Sequence, residues 1–303
     1  MRRVEHLLLD LPAIEGKPSS SRRLDVLGTA HLPPKGSAAT KSSADLAFLF
    51  FNAGHVPREG HAGTIARVAD RLAASGFPAY RFDLPGLGDS PGEIPAGLED
   101  FFFSVHDGVF GPAALQIARA VVPRSGCSRL VLGGLCGGAA TALLVADEAP
   151  EIVAGLVALE PEFVRPGGVT PQDVKGKLTN RGSWLRMLTG HSQYSDRLRF
   201  VSAVILPLVG RWLLPAEANR VLVRSYRALV RRRIPCLIML AEGKPRELFY
   251  DQLNKLLFRG KPGRHVSSIP IPNTNHIFTS GGAAERIVRE VGDWAERSFV
   301  GRV

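Results

Sequence analysis

Near the middle of the 303-residue chain, the stretch Gly133-Gly134-Leu135-Cys136-Gly137-Gly138-Ala139-Ala140 sets one nucleophile among the smallest side chains available. It follows the apolar run Arg129–Leu132 and opens a helical pattern. A nucleophile raised on a sharp strand-to-helix turn needs small residues two positions to either side, because the backbone passes very close there. Gly134 and Gly138 occupy those positions, so Cys136 is the candidate nucleophile in a G-x-C-x-G arrangement where most such turns carry serine. The positive end of the following helix is expected to favour thiolate over the reference pKa of about 8.5. The competing reading is a buried structural cysteine in a glycine-rich turn. Cys127 and Cys236 lack this setting and read as core or loop thiols. Three cysteines so scattered suit neither a disulfide framework nor a CxxC metal site, and neither metal nor cofactor is expected.

A thiol nucleophile needs a base that takes and returns its proton. The loop after the last strand is the expected place, and Pro272-Asn273-Thr274-Asn275-His276-Ile277-Phe278 supplies His276. For the acid that orients the imidazole, Glu160 is the first choice, immediately off the strand that ends at Leu159, and Glu242 the alternative, after the strand Cys236–Leu240. Glu162 and Glu247 read as solvated. The developing oxyanion requires backbone donors. The N–H of Gly137 is one, and the turn Asn52-Ala53-Gly54-His55 offers the second at His55 or its neighbour. Gly54, Trp184 and Arg186 are candidate substrate contacts. The His55 ring either touches substrate or only covers its loop.

These residues must be held by the elements around them. Short apolar runs alternate with helical patterns, the signature of an α/β chain with a mostly parallel central sheet flanked by helices. Strands are expected at Leu46–Phe51, Ala79–Phe82, Arg129–Leu132, Ile152–Leu159, Cys236–Leu240 and Val266–Ile271. Helices are expected near Thr64–Ser75, Ala113–Val122, Ala139–Ala149, Arg246–Phe258 and Ala283–Ser298. Ile14–Ser43 reads as a hairpin and loop. The alternation lapses after Val164, which divides the chain into a first core part over 1–162, a basic helical lid over 163–233 and a second core part over 234–303. A long insertion between two strands of such a sheet usually covers the site at their carboxyl ends.

Charge follows the same division. The 38 Lys and Arg against 28 Asp and Glu give a net charge of +10. Between Phe163 and Arg233, 14 basic residues face three acidic ones, a local excess of +11 that accounts for the whole. Arg220, Arg224, Arg227 and Arg231 recur at helical spacing and form one stripe, with Val221, Val223 and Leu229 elsewhere around an amphipathic surface helix. Such a segment suits an anionic donor: the phosphates of an acyl-coenzyme A, the acidic face of an acyl carrier protein, or an anionic membrane surface. A merely solvated charged face is the alternative. Nucleic acid is not an expected partner, since no recognition motif or interleaving of aromatics accompanies the charge. With no apolar run of membrane-spanning length and no signal-peptide core at the amino terminus, the expected location is cytoplasmic, at most peripheral to a membrane.

Taken together, the cysteine elbow, His276 and the loop Asp83-Leu84-Pro85-Gly86-Leu87-Gly88-Asp89-Ser90, which resembles a D-x-x-G-x-G-x-S motif, make Leu46–Ser298 resemble the α/β-hydrolase superfamily. More narrowly, GLCGGAATALL, VAGLVALEPEFVRP and LTNRGSWLRMLTG are similar to exosortase A system-associated hydrolases, bacterial proteins that also carry cysteine in the elbow and an Arg/Trp-containing lid entry, here around Trp184–Leu188. The resemblance implies an α/β-hydrolase fold and hydrolase or acyltransferase activity, without naming a substrate. The acid that the family carries after the penultimate strand is missing between Glu242 and Arg246, which leaves either a relocated acid, Glu160, or weakened triad chemistry.

The chemistry expected is attack of Cys136 on an ester or thioester carbonyl, giving an acyl-cysteine. A thioester passes its acyl group to amine, thiol or carbon nucleophiles more readily than an oxygen ester does, so cysteine tilts the expectation towards thioester substrates or acyl transfer. Three functions stay open: hydrolysis, transfer or cyclisation through the same first half-reaction, and a non-catalytic scaffold.

Overall fold

Runs of apolar residues too short for a helix and buried on both faces are central strands of a covered sheet. The computed structural model describes residues 3–12, 23–34, 45–52, 54–165, 214–215 and 217–300. In chain order its elements are β1 (Arg3–Pro12), β2 (Arg23–Leu32), β3 (Leu46–Phe51), α1 (Thr64–Ala74), β4 (Ala79–Phe82), α2 (Leu98–His106), α3 (Gly111–Ser125), β5 (Arg129–Leu135), α4 (Gly137–Glu148) and β6 (Val153–Leu159). They continue with α5 (Arg220–Arg231), β7 (Cys236–Ala241), α6 (Pro245–Phe258), β8 (Val266–Ile271) and α7 (Ala283–Phe299).

One sheet holds all eight described strands in the order β1-β2-β4-β3-β5-β6-β7-β8. β1 and β2 form an antiparallel hairpin, β2 meets β4 antiparallel, and the rest pair parallel. Every residue of β3, β6 and β7 is buried, which is why these strands read as unbroken apolar runs. β8 is half exposed and tolerates Pro270 because it closes the sheet at one edge. All six expected strands and all five expected helices are present. The hairpin pairs Arg3–Pro12 with Arg23–Leu32, so it begins before the Ile14 expected from sequence. α2 was not anticipated, since its apolar stretch Phe101-Phe102-Phe103 does not show helical spacing.

The sheet separates two apolar layers. α1 and α7 cover one face through Ile65, Val68, Ile287 and Trp294. α2 to α6 cover the other, where Phe101, Leu143, Tyr226 and Tyr250 share one cluster. The Tyr226 hydroxyl stands 2.9 Å from that of Tyr250 and donates to Asn254 at 2.9 Å, which satisfies the buried polar ends between α5 and α6.

The insertion between β6 and β7 leaves and rejoins the body at one point. Val164 bridges Ala218, Arg165 N–H donates to Glu217 O at 2.9 Å, and Asn219 N–H donates to Phe163 O at 2.7 Å. The Asn219 side chain then caps α5 by accepting from the N–H groups of Val221 and Leu222. α5 belongs to the layer that covers the sheet, with Leu222, Tyr226 and Leu229 buried and the arginines of its stripe exposed. Its apolar side is therefore used up against the body rather than open to a membrane, and Val221, expected on that side, is exposed. Trp184, Arg186 and the rest of the lid expected between 166 and 213 lie outside the described residues.

Candidate active site

The carboxyl ends of the six parallel strands β3 to β8 lie on one edge of the sheet, and each is followed by a loop with a residue singled out from the sequence. At the tip of β5, Cys136 adopts φ 52° and ψ −111°, a strained conformation that L residues rarely enter. Its N–H donates to Leu159 O at 2.8 Å and its carbonyl accepts from Ala140 N–H at 3.0 Å, so the turn is tied to β6 on one side and to α4 on the other. The two glycines flanking it are required by contact: a Cβ on Gly134 would collide with the backbone of Gly138, and one on Gly138 with the carbonyls of Phe51 and Asn52. Cys127 and Cys236 are buried, and burial pushes the Cys236 thiol up to about 12. Only Cys136 is partly exposed.

The turn after β3 lies against the elbow. Gly54, at φ 60°, has its nitrogen 3.4 Å from the point where a Cβ on Gly137 would stand. Its neighbourhood is pinned by Asn52, which donates to Val56 O at 3.1 Å and to Asp83 at 2.6 Å and accepts from Leu84 N–H at 2.7 Å. Asp83 in turn receives the Arg58 backbone N–H and guanidinium, and a Cβ on Gly88 would run into its carboxylate. The Asp83–Ser90 motif thus ties this loop to the turn after β3 through the Asp83 carboxylate. The exposed His55 ring stacks on Phe101 of α2 with centroids 3.8 Å apart.

Where an acid was sought after β7, the structure places an arginine. Arg246 stands in the first turn of α6 and reaches back across the strand tips: Nη2 donates to Glu162 at 2.6 Å, and Nη1 donates to Glu160 O at 3.4 Å and lies 3.5 Å from the Glu160 carboxylate. Its guanidinium also lies within electrostatic reach of the Cys136 thiol. Glu160, fully buried at φ 50°, accepts from Ala241 N–H through one oxygen, while its other oxygen has no hydrogen-bond donor. Its carboxylate is thus engaged by Ala241 and Arg246, and no hydrogen bond joins it to the His276 ring. Glu162, read from sequence as solvated, is instead half-buried and holds Arg246.

His276 is exposed on the loop after β8, in the electrostatic reach of Arg246, Glu162 and His61. Among the described residues it has no hydrogen bond to Cys136, Glu160 or Glu242. Glu242 is exposed, with its backbone N–H paired to Ile271 O at 2.9 Å. A second histidine, His106 at the end of α2, is buried 3.9 Å from Glu162 and bonded through its carbonyl to Asn219 at 2.9 Å.

Electrostatics separate these groups. Burial pushes the Cys136 thiol up and outweighs the opposing pull of the Arg246 guanidinium and the Gly137 N–H, so the thiolate preference expected from the helix end alone is not met. Burial also raises the Glu160 carboxyl to about 7, against the pull of Ala241 N–H and Arg246. His276 is held below the usual histidine value by burial and by Arg246, and His106 chiefly by burial. Both imidazoles are therefore neutral at pH 7, the form that accepts a proton.

Sequence reading missed Arg246, Glu162 and His106. One signal for Arg246 was available: a cation in the first turn of a helix opposes the helix dipole, so an arginine directly after Pro245 calls for acidic partners from elsewhere in the chain.

The family model described as serine aminopeptidase, S33 matches residues 58–204, a stretch that contains Cys136 and not His276. A search among curated proteins finds no match. Among solved structures, a proline iminopeptidase from Mycobacterium smegmatis is similar at TM-score 0.58 and 14% identity, over 96% of this chain and 98% of its own. A dienelactone hydrolase from Anabaena variabilis is similar at TM-score 0.55 and 13% identity, over 98% and 99%. Est1E from Butyrivibrio proteoclasticus, solved with ferulic acid, is similar at TM-score 0.54 and 13% identity, over 91% and 96%. The chain has the α/β-hydrolase fold.

Proposed function

We propose that the protein is a hydrolase or acyl-transfer enzyme that opens acyl esters or thioesters through an acyl-Cys136 intermediate. The observation that carries this reading is the strained elbow, where Cys136 is partly exposed between two glycines that admit no side chain. Such strain is kept where a nucleophile must stand clear of the sheet. In the first half-reaction Arg246 lowers the cost of the Cys136 thiolate, and His276 takes the thiol proton. Sulfur then attacks the carbonyl carbon, and the oxyanion is held by the N–H of Gly137 and a donor of the Gly54–His55 turn. Collapse expels the alcohol or thiol, which leaves with the proton from His276. Water or another acceptor then releases the acyl group by the same steps in reverse. Hydrogen bonds between nucleophile and base tighten in many enzymes only with substrate bound, so an open His276 suits the resting state.

Glu160 and Glu162 serve in this reading as the pair that aims Arg246. In this reading the insertion that leaves and returns at Val164 and Ala218 is the lid, and Trp184 and Arg186 are its candidate substrate contacts. The basic segment favours a coenzyme A or carrier-protein thioester in the cytoplasm, at or near an anionic membrane. The exosortase A system-associated hydrolases remain the group this chain resembles in its motifs.

The test is intact mass measurement after mixing with a p-nitrophenyl ester and with an acyl thioester. An acyl adduct on Cys136, absent in Cys136→Ala, supports the reading; added hydroxylamine that diverts product to the hydroxamate marks transfer rather than hydrolysis. A second reading, a non-catalytic scaffold, is favoured by the missing hydrogen bond between His276 and Cys136. It predicts no acyl adduct on Cys136 with either substrate and no loss of ester turnover in Cys136→Ala or His276→Ala beyond the uncatalysed rate.

A further inference from the structure

At the opposite, amino edge of the sheet lies a groove of about 750 Å³ between the end of α5 and the loop that leads into β8. Arg227, Arg231 and Arg233 line it from one side, and Arg264 and His265 from the other. Its floor is apolar, formed by Val230, Leu257, Phe258 and Pro262. Arg233 is followed by Ile234-Pro235 and then β7, and His265 directly precedes β8, so the groove is separated from the Cys136 edge by the length of these strands, about 20 Å.

Two independent features single this groove out. Among the described residues none of the four guanidinium groups has a carboxylate partner, although their neighbour Arg232 is paired with Asp147 at 2.8 Å on the other side of the helix end. Four like charges are thereby gathered without a carboxylate partner among the described residues. In addition, Arg233 takes φ 57°, with its N–H bonded to Val230 O at 3.1 Å. This left-handed position after a helix is usually glycine, and a side chain there costs stability. An arginine kept in glycine's place presents its guanidinium to the groove.

We propose that the groove binds a phosphate ester whose organic part rests on the apolar floor. Planar guanidinium forks match the oxygens of a phosphate and bind it in pairs. A neighbouring hollow of about 670 Å³ shares Pro262, Gly263 and Arg264 and adds Lys255 and Lys261 beside one acid, Asp251, so a longer ligand meets a net positive lining there. A long track of exposed aromatic rings, which single-stranded nucleic acid uses for stacking, is not present among the lining residues. Bound so far from Cys136, such a ligand sets where the protein sits or how it is regulated, and not which bond it cleaves. The proposal does not depend on the acyl-cysteine reading.

The experiment uses the full chain and two arms. Phenyl phosphate against inorganic phosphate, by titration calorimetry, tests a soluble ester. Sedimentation with phosphatidylcholine vesicles, with and without phosphatidic acid, tests a lipid headgroup. Binding in either arm, with phenyl phosphate tighter than inorganic phosphate or phosphatidic acid required, is the expected result. Arg231→Gln/Arg233→Gln weakens it at least about tenfold, while Arg224→Gln, exposed on the same helix but outside the groove, does not. Arg233→Gly keeps or raises the melting temperature while losing affinity, a combination that a purely structural arginine does not produce. No binding in either arm, equal loss in Arg224→Gln, or a duplex oligonucleotide that binds the groove more tightly than both probes overturns the proposal. Unchanged alkylation of Cys136 in the groove variants keeps its outcome separate from that of the catalytic reading.

Discussion

Arg246→Gln tests the electrostatics of the site most directly. The arginine lies within electrostatic reach of the Cys136 thiol and is itself held by Glu162 at 2.6 Å and faced by the Glu160 carboxylate at 3.5 Å. Two unit charges about 4 Å apart interact by about 4 kcal/mol at an effective dielectric of about 20. Glu162 already offsets much of that field, so the net effect is nearer the shift of about 1–2 units seen for groups beside a single arginine. The sign is not in doubt from any side: removing Arg246 takes away the cation and leaves Glu162 unscreened, and both changes disfavour the thiolate. A rise of about 1–2 units lowers the thiolate fraction near neutral pH by about 10–100-fold, since one unit is about 1.4 kcal/mol. The assay is the rate of Cys136 alkylation by iodoacetamide against pH, followed on the Cys136 peptide so that the buried Cys127 and Cys236 do not contribute. Arg246→Lys should restore part of the shift, and Glu162→Gln should move the midpoint the other way. A folded Arg246→Gln protein whose alkylation midpoint stays in place, or falls, refutes the argument.

His276→Ala should cut ester turnover by about 10²-fold or more, as expected for loss of a general base, yet leave the alkylation midpoint of Cys136 in place, because no hydrogen bond joins the two residues at rest. In the wild type, turnover should fall on acidification below the ordinary histidine value of 6.5, since burial and Arg246 hold His276 neutral down to a lower pH. Glu160 carries a different pH signature. Its folded pKa of about 7 lies above the unfolded carboxylate value of 4.5, so the folded state binds the extra proton, and the stability tied to it declines as pH rises from 4.5 to about 7. The loss amounts to about 3 kcal/mol at most, and melting curves from pH 5 to 8 should show it in the wild type and not in Glu160→Gln. Gly138→Ala places a methyl group against the carbonyls of Phe51 and Asn52 and should cost about 1–3 kcal/mol or more, read as a lower melting temperature.

The elements of this fold were legible because each carries its signal locally. β3, β6 and β7 are buried on both faces and so appear as unbroken apolar runs, and the glycines around Cys136 report a close approach of backbone that any side chain would block. The site's charges were not legible in the same way. The expectation of a Cys-His-Glu arrangement rested on loop positions in chain order, and it assigned Glu160 to a histidine that the structure joins to neither acid.

What the amino-acid sequence determined by itself is the α/β architecture, the glycine-flanked turn at Cys136 and the concentration of positive charge between Phe163 and Arg233. Short-range periodicity and steric need write these into neighbouring residues. Only the tertiary structure decided that Arg246 meets Glu160 and Glu162, more than eighty residues away, and that Arg227, Arg231, Arg233 and Arg264 share one groove. Pairing of charges depends on which strand tips and helix ends the sheet order brings together, and that order is set by packing over the whole chain.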